Sequence, residues 1–256
     1  MNSIDPPRKP VAYKNEAFLD SNDARPLRIL AEYLEPMHTF HREHICDTIV
    51  FFGSARLKRE GPLRNYYDAA RELARLVTHW SMQLHSRGHR YVVCTGGGGG
   101  IMEAANLGAS EAGGKSIGLN IGLPQEQQAN PYITRELTFE FHYFFMRKLW
   151  FAHLARALVV FPGGFGTLDE LTEILTLMQT RKIDRHIPIV LYGSSYWKEI
   201  INFDALVRHG MISRKDLALF QFADDPATAL ALLQAGIGAD VEEATPAIAH
   251  TRSSNC

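Results

Sequence analysis

Three short apolar runs in this chain each end in glycine or other small residues and lead, directly or after a short loop, into a helical pattern. They read FFGSAR (Phe51–Arg56), CTGGGGGIMEAAN (Cys94–Asn106) and FPGGFGTLDEL (Phe161–Leu171). These runs belong to a set of five candidate strands, Thr48–Phe52, Tyr91–Thr95, Lys115–Ile121, Ala157–Phe161 and Ile187–Tyr192. All five are short, continuous, apolar and rich in Val and Ile, the pattern of parallel strands buried on both faces. Between them lie helical stripes, one through Ala69, Leu73, Leu76, Val77 and Trp80, another through Leu171, Ile174, Leu175 and Met178. Strands alternating with helices predict an α/β fold, a doubly wound, Rossmann-like, mostly parallel sheet built from right-handed crossovers.

The flanks read differently. Residues 1–23 are rich in Pro, Asn, Asp and Lys without periodicity, which predicts a mobile arm. Over 25–45, Leu27, Leu30, Ala31 and Leu34 recur at helical spacing, and Pro36 marks a break or kink. The expected organisation is an N-terminal arm and helix (1–45), a Rossmann-like nucleotide-binding catalytic domain (46–235) whose last helix is Asp225–Leu233, and a disordered tail (236–256). With 46% hydrophobic residues the chain can bury a real core, and 27 basic against 28 acidic residues leave no electrostatic footprint for nucleic acid or an anionic membrane. A small-molecule partner is therefore expected. MNSIDPPRKP has no apolar stretch of the secretory kind, and no run is long enough to cross a bilayer. Cys46, Cys94 and Cys256 are too few and too scattered for a disulfide framework or zinc knuckle, so a cytoplasmic, reduced setting is expected.

In an open α/β sheet, ligands sit beyond the carboxyl ends of the strands, where the three glycine turns fall. Glycines there either make tight turns or let backbone N–H groups at a helix N-terminus approach a phosphate. The common fingerprints are absent: G-x-G-x-x-G from Gly96 or Gly97 would need glycine at Ile101 or Met102. ASEAGGKS (Ala109–Ser116) approaches a Walker A loop, but its first position is Ala109 and it precedes a strand, so Lys115 is read as ordinary. Thr167 and Glu170 have capping-box spacing. A carboxylate at Glu170, beside a bound phosphoribosyl group, could also stabilise an oxocarbenium ion or position water. Upstream, His142–Ala157 reads as an amphipathic helix through Met146, Leu149, Trp150, His153 and Leu154. It leads straight into the strand before Pro162, which brings Arg147 and Lys148 near the glycine turns, where an Arg can grip phosphate bidentately. His38, His41 and His44 could share a helix face as metal ligands. No carboxylate or cysteine completes a convincing set, so a surface or interface helix is expected there and no metal site.

Together these residues resemble the LONELY GUY (LOG) family, once widely labelled "possible lysine decarboxylase". Its PGGxGTxxE pattern is matched at every fixed position from Pro162 to Glu170. Its Arg–Lys pair, fifteen residues before that proline, is matched by Arg147 and Lys148. Its TGGG-x-GIMEAAN-x-GA stretch is matched at Thr95–Ala109. The resemblance spans roughly Asp47 to Leu233 and, with the added N-terminal helix, looks like the longer bacterial branch.

The resemblance implies hydrolysis of the N-glycosidic bond of a nucleoside 5′-monophosphate, AMP or a cytokinin nucleotide, to free base and ribose 5-phosphate. It implies no cofactor, and a homodimer or dimer-based higher oligomer with the site near the subunit interface. Arg147 and Glu170 would be catalytic. Gly164, Gly166 and Thr167 would bind phosphate and ribose, with Thr176 at a further binding position. Ser54, Gly97, Gly98, Gly99, Lys148 and Gly163 complete the candidate substrate-binding set. Two departures bear on the turn and on base preference: Gly99 stands where this branch commonly has proline, and Phe144 and Phe145 stand where smaller members often carry Met-His. The alternative is a non-catalytic binding protein for a phosphorylated nucleotide or cofactor, such as molybdenum cofactor; retention of both Arg147 and Glu170 favours hydrolysis. Decarboxylation would need a Schiff-base lysine and pyridoxal phosphate, and no lysine here has that context.

Overall fold

A computed structural model describes residues 9–122, 128–183 and 185–243. A 3₁₀ turn (Ala12–Lys14) and a short α1 (Glu16–Leu19) precede α2 (Arg25–Arg42). The chain then runs β1 (Thr48–Phe52), α3 (Arg64–Met82), β2 (Val92–Thr95), α4 (Ile101–Glu111), β3 (Ser116–Ile121), β4 (Thr138–Phe141) and α5 (Phe144–Leu154). It continues through β5 (Ala155–Val160), α6 (Phe165–Gln179), β6 (Ile189–Tyr192), α7 (Ser194–Ile200), α8 (Phe203–Arg208), β7 (Phe220–Ala223) and α9 (Pro226–Glu243). The strands form one sheet in the order β4-β3-β2-β1-β5-β6-β7, with every pairing parallel. This is the doubly wound α/β architecture. Its strand order reverses between β1 and β5, where a ligand crevice is expected.

Alternate strand side chains feed two cores. In β1, Val50 and Phe52 join Trp150, Phe151, Leu171, Ile174 and Trp197 beneath α2, α5, α6 and α7. Ile49 and Phe51 face the opposite way and join Leu73, Val77, Ala104 and Leu233 beneath α3, α4 and α9. Five strands lie where the continuous apolar runs placed them, with ends shifted by up to two residues. β4 and β7 carry no such signal. Both are edge strands: β4 alternates between exposed and buried positions, and β7 buries only its two end residues, so neither forms a continuous apolar run.

The flanks differ from expectation. The arm is structured from residue 12 onward: Asn15 caps α1, and the Arg28 guanidinium donates to the carbonyls of Leu19 and Ser21, tying the segment to α2. α9 continues into the stretch expected to be a disordered tail, ending at Glu243, because Ile237 is buried in the second core and Gly236 lets the helix lie against Pro188. The rest of that tail, and residues 1–8, lie outside the described residues.

α2 passes through Pro36 without a break. Proline cannot donate to the carbonyl four residues earlier. That carbonyl, of Glu32, instead accepts the indole N–H of Trp150 from α5 at 3.1 Å. α5 then passes into β5 with no intervening loop. Its last carbonyls are taken by Arg185, whose guanidinium donates to Ala152 (2.7 Å), His153 (2.8 Å) and Ala155 (3.1 Å).

Candidate active site

The three glycine turns meet beyond the carboxyl ends of β1, β2 and β5. The Ser54 N–H donates to the Pro162 carbonyl (3.0 Å) and the Ile101 N–H donates to the Ser54 carbonyl (3.1 Å), which knits the turns into one floor. Above it opens a cavity of about 690 Å³. Of the expected site residues, Ser54, Arg147, Gly163, Gly164, Gly166, Thr167 and Glu170 line it.

At the cavity wall, Arg147 Nη2 donates to Glu170 Oε1 at 3.2 Å. Their side chains retain only 10% and 13% of their full exposure. Burial pushes the Glu170 carboxyl up from 4.5 to about 7, although the Arg147 charge pulls the other way. Burial also draws Arg147 below the usual guanidinium range, against the opposing pull of Glu170 and Asp169. On both partners, desolvation outweighs their mutual attraction. Arg147 lies over the ring of Phe144 at 4.6 Å, and its buried Nε has no hydrogen-bond partner among the described residues. The guanidinium thus keeps donor capacity beyond its contact with Glu170.

The spacing of Thr167 and Glu170 suggested a capping box, and the structure corrects this. Gly164 is the N-cap of α6, with no side-chain cap, so Thr167 lies inside the first turn and Glu170 reaches across to α5. The Thr167 side chain packs instead against Gly163, where a Cβ would clash with its hydroxyl. The first-turn N–H groups of α6 therefore face the cavity without a side-chain competitor, an arrangement suited to an anion. Tyr196 of α7 steadies the turn, its hydroxyl donating to the Gly163 carbonyl at 2.7 Å.

The second glycine turn plays a different part. Gly96 reaches the cavity, whereas Gly97, Gly98 and Gly99 do not line it. The Asn130 amide donates to the carbonyls of Gly97 (3.1 Å) and Gly98 (3.0 Å) and to Asn106 Oδ1 (2.9 Å). Thr95 Oγ1 donates to Asn106 (2.7 Å) and accepts the Gly97 N–H (3.0 Å). Gly100 adopts a φ of +64°, and a Cβ there would strike the Ser54 carbonyl. These glycines shape the loop from beneath.

Lys148 turns from the cavity to bridge α5 to α6, pairing with Asp169 (2.7 Å) and Glu173 (3.3 Å). Thr176 is exposed on α6, its hydroxyl donating to the Thr172 carbonyl. Lys115 sits at the start of β3 and pairs with Glu43 at 3.1 Å, as an ordinary surface lysine would. His38, His41 and His44 are exposed, and the described residues contain no group of three or more His, Cys, Asp or Glu able to hold a metal. No lysine lines the cavity among the described residues, so the donor set does not suit a Schiff base.

Arg56, Met102, Phe165 and Tyr196 are among the lining residues that were not anticipated. Arg56 lay within a motif already singled out, as a cation just past a glycine turn. Tyr196 gave no local signal, because a crossover brings α7 to the site.

A crevice at the switch point, lined by a helix N-terminus and a buried Arg–Glu pair, belongs to a doubly wound α/β protein. A family model described as "Possible lysine decarboxylase" matches residues 102–233, just over half of the chain. The chain belongs to that family, the LOG family. The cytokinin riboside 5′-monophosphate phosphoribohydrolase LOG3 of Arabidopsis thaliana is 28% identical over 182 residues, covering 70% of this chain and 76% of the relative. LOGL3 of Oryza sativa subsp. japonica, whose name assigns the same activity, is 31% identical over 171 residues, covering 65% and 72%. Among solved structures, the structural-genomics target TM1055 superposes with a TM-score of 0.53 at 22% identity, covering 74% of this chain and 99% of the other. The Moco carrier protein of Chlamydomonas reinhardtii gives 0.51 at 23% identity, covering 75% and 99%. These two likenesses concern the fold alone. No helix among the described residues is long and apolar enough to cross a membrane.

Proposed function

We propose that this protein hydrolyses the N-glycosidic bond of a nucleoside 5′-monophosphate, AMP or a cytokinin nucleotide, releasing the free base and ribose 5-phosphate. The observation that carries this reading is the buried Arg147–Glu170 contact beside the N-terminus of α6. A 5′-phosphate set against the first-turn N–H groups of α6, with Arg56 at the opposite rim, would bring the ribose toward Glu170. As the C1′–N bond breaks, its electron pair leaves with the base, which takes up a proton. The Glu170 carboxylate stabilises the positive charge developing on the ribose and accepts a proton from the attacking water as its oxygen bonds C1′. Arg147 holds the carboxylate in place and donates to the substrate. Water is thus divided across the glycosidic bond.

The working unit in this reading is a homodimer or a dimer-based higher oligomer in the cytoplasm, where nucleotide substrates are available. α5 exposes Phe144 (43%), Phe145 (50%) and Leu149 (40%), and Phe165 at the head of α6 is 93% exposed. These exposed apolar side chains are the face proposed for the subunit contact. Incubating the purified chain with a panel of nucleoside monophosphates and measuring free base by chromatography tests the reaction. Tight nucleotide binding without base release would make the protein a carrier and overturn the hydrolytic reading.

A further inference from the structure

Arg147 rides on α5, and the start of that helix is held by a residue of the N-terminal extension. Glu32 of α2 accepts the His142 N–H on Oε1 (2.8 Å) and the Tyr143 N–H on Oε2 (3.1 Å). Tyr143 is the N-cap of α5, which has neither a side-chain cap nor an acidic residue in its first turn. The carboxylate therefore supplies from another element both the acceptor and the negative charge that a helix N-terminus favours. The backbone carbonyl of Glu32 accepts the Trp150 indole N–H, and Tyr33 stacks on the Trp150 ring with centroids 5.5 Å apart. Glu32 thus grips α5 near its start and again about two turns along.

A continuous line of hydrogen bonds joins this grip to the site. Glu32 holds the Tyr143 N–H, the Tyr143 carbonyl accepts the Arg147 N–H at 3.3 Å, and Arg147 Nη2 reaches Glu170. Because α5 enters β5 without a loop and Arg185 fixes its other end, the helix cannot settle elsewhere unless one of the two clamps yields.

We propose that Glu32 is a positioning residue for base release: it fixes the start of α5 and, through it, the placement of Arg147 against Glu170. This inference rests on the hydrolytic reading of the site. None of the described residues of the N-terminal extension lines the cavity, so their contribution is geometric. A shift of about 1 Å at a reacting group can cost a hundredfold in rate.

The test uses the full chain and AMP, with adenine release as the readout. Glu32→Ala should lower kcat by at least about tenfold while KM moves less than about threefold, in the range open to a small misplacement. Glu32→Gln keeps one acceptor oxygen and should recover part of the loss; it also carries the test if the alanine variant does not fold. In an Arg147→Lys background, Glu32→Ala should cost little more, since both changes act through one group. Amide exchange at His142 and Tyr143 should quicken in Glu32→Ala. A loss confined to thermal stability or KM, fully multiplying effects in the double variant, or unchanged exchange at those amides would each overturn the proposal. If the wild-type chain releases base from no nucleoside monophosphate, the hydrolytic reading falls and this role falls with it; the exchange measurement then still reports on the clamp itself.

Discussion

Glu170 is held in a place that suits its proposed work better than it suits the folded protein. Burial raises its carboxyl to about 7, so near neutrality it is part carboxylate and part acid. Adenine release that depends on the carboxylate should rise with pH through about 7 and level off above, which a kcat/KM–pH profile checks. The same shift makes a stability prediction. Between the ordinary carboxyl range and about 7, the folded form binds more protons than the unfolded one, so this group's contribution to stability falls as pH rises. Relative to wild type, Glu170→Gln should therefore gain thermal stability between about pH 5 and about pH 8, whatever constant cost the unpaired Arg147 adds. The same variant should lose base release by about a hundredfold or more while still binding AMP. Turnover within a few-fold of wild type would remove Glu170 from the chemistry. At this scale the sequence was informative, because Arg147 and Glu170 stand at fixed spacings around one strand. It misled on the capping box, since S/T-x-x-E spacing does not report where a helix begins. Tyr196 was hidden because its only tie to the site is spatial.

Among the elements, α4 shows how one position of a motif can serve packing. Gly108 is the last glycine of the TGGG-x-GIMEAAN-x-GA stretch, and a Cβ there would run into the Arg71 backbone carbonyl of α3. The glycine lets the two helices touch. Gly108→Ala should destabilise the fold by about 1–3 kcal/mol, the cost of overpacking a close contact, read as a lower urea midpoint at unchanged slope. Strands buried on both faces were legible as apolar runs, and β4 and β7 were not, because an edge strand needs only one apolar face. α9 outran its visible periodicity because one buried isoleucine and one close glycine suffice to dock an Ala-rich helix.

For the whole molecule, some of the exposed apolar side chains fall on the two helices that carry the candidate site. Phe144 and Phe145 precede Arg147, and Phe165 opens the helix that carries Glu170. A second copy packed on this face would shield them and narrow the mouth of the site. Phe145→Glu should then convert dimers to monomers, measured by light scattering after size exclusion. An unchanged mass would place the subunit interface elsewhere.

The loop-free passage from α5 into β5 has a consequence for how the site can be inherited. Arg147 and Glu170 sit on one helix–strand–helix run, Phe144–Gln179, interrupted only by the short Pro-Gly-Gly turn. The pair is therefore a cassette of contiguous sequence. A circular permutant opened in the turn after α8 carries it whole, whereas a single residue inserted between Leu154 and Ala155 throws its two halves out of step.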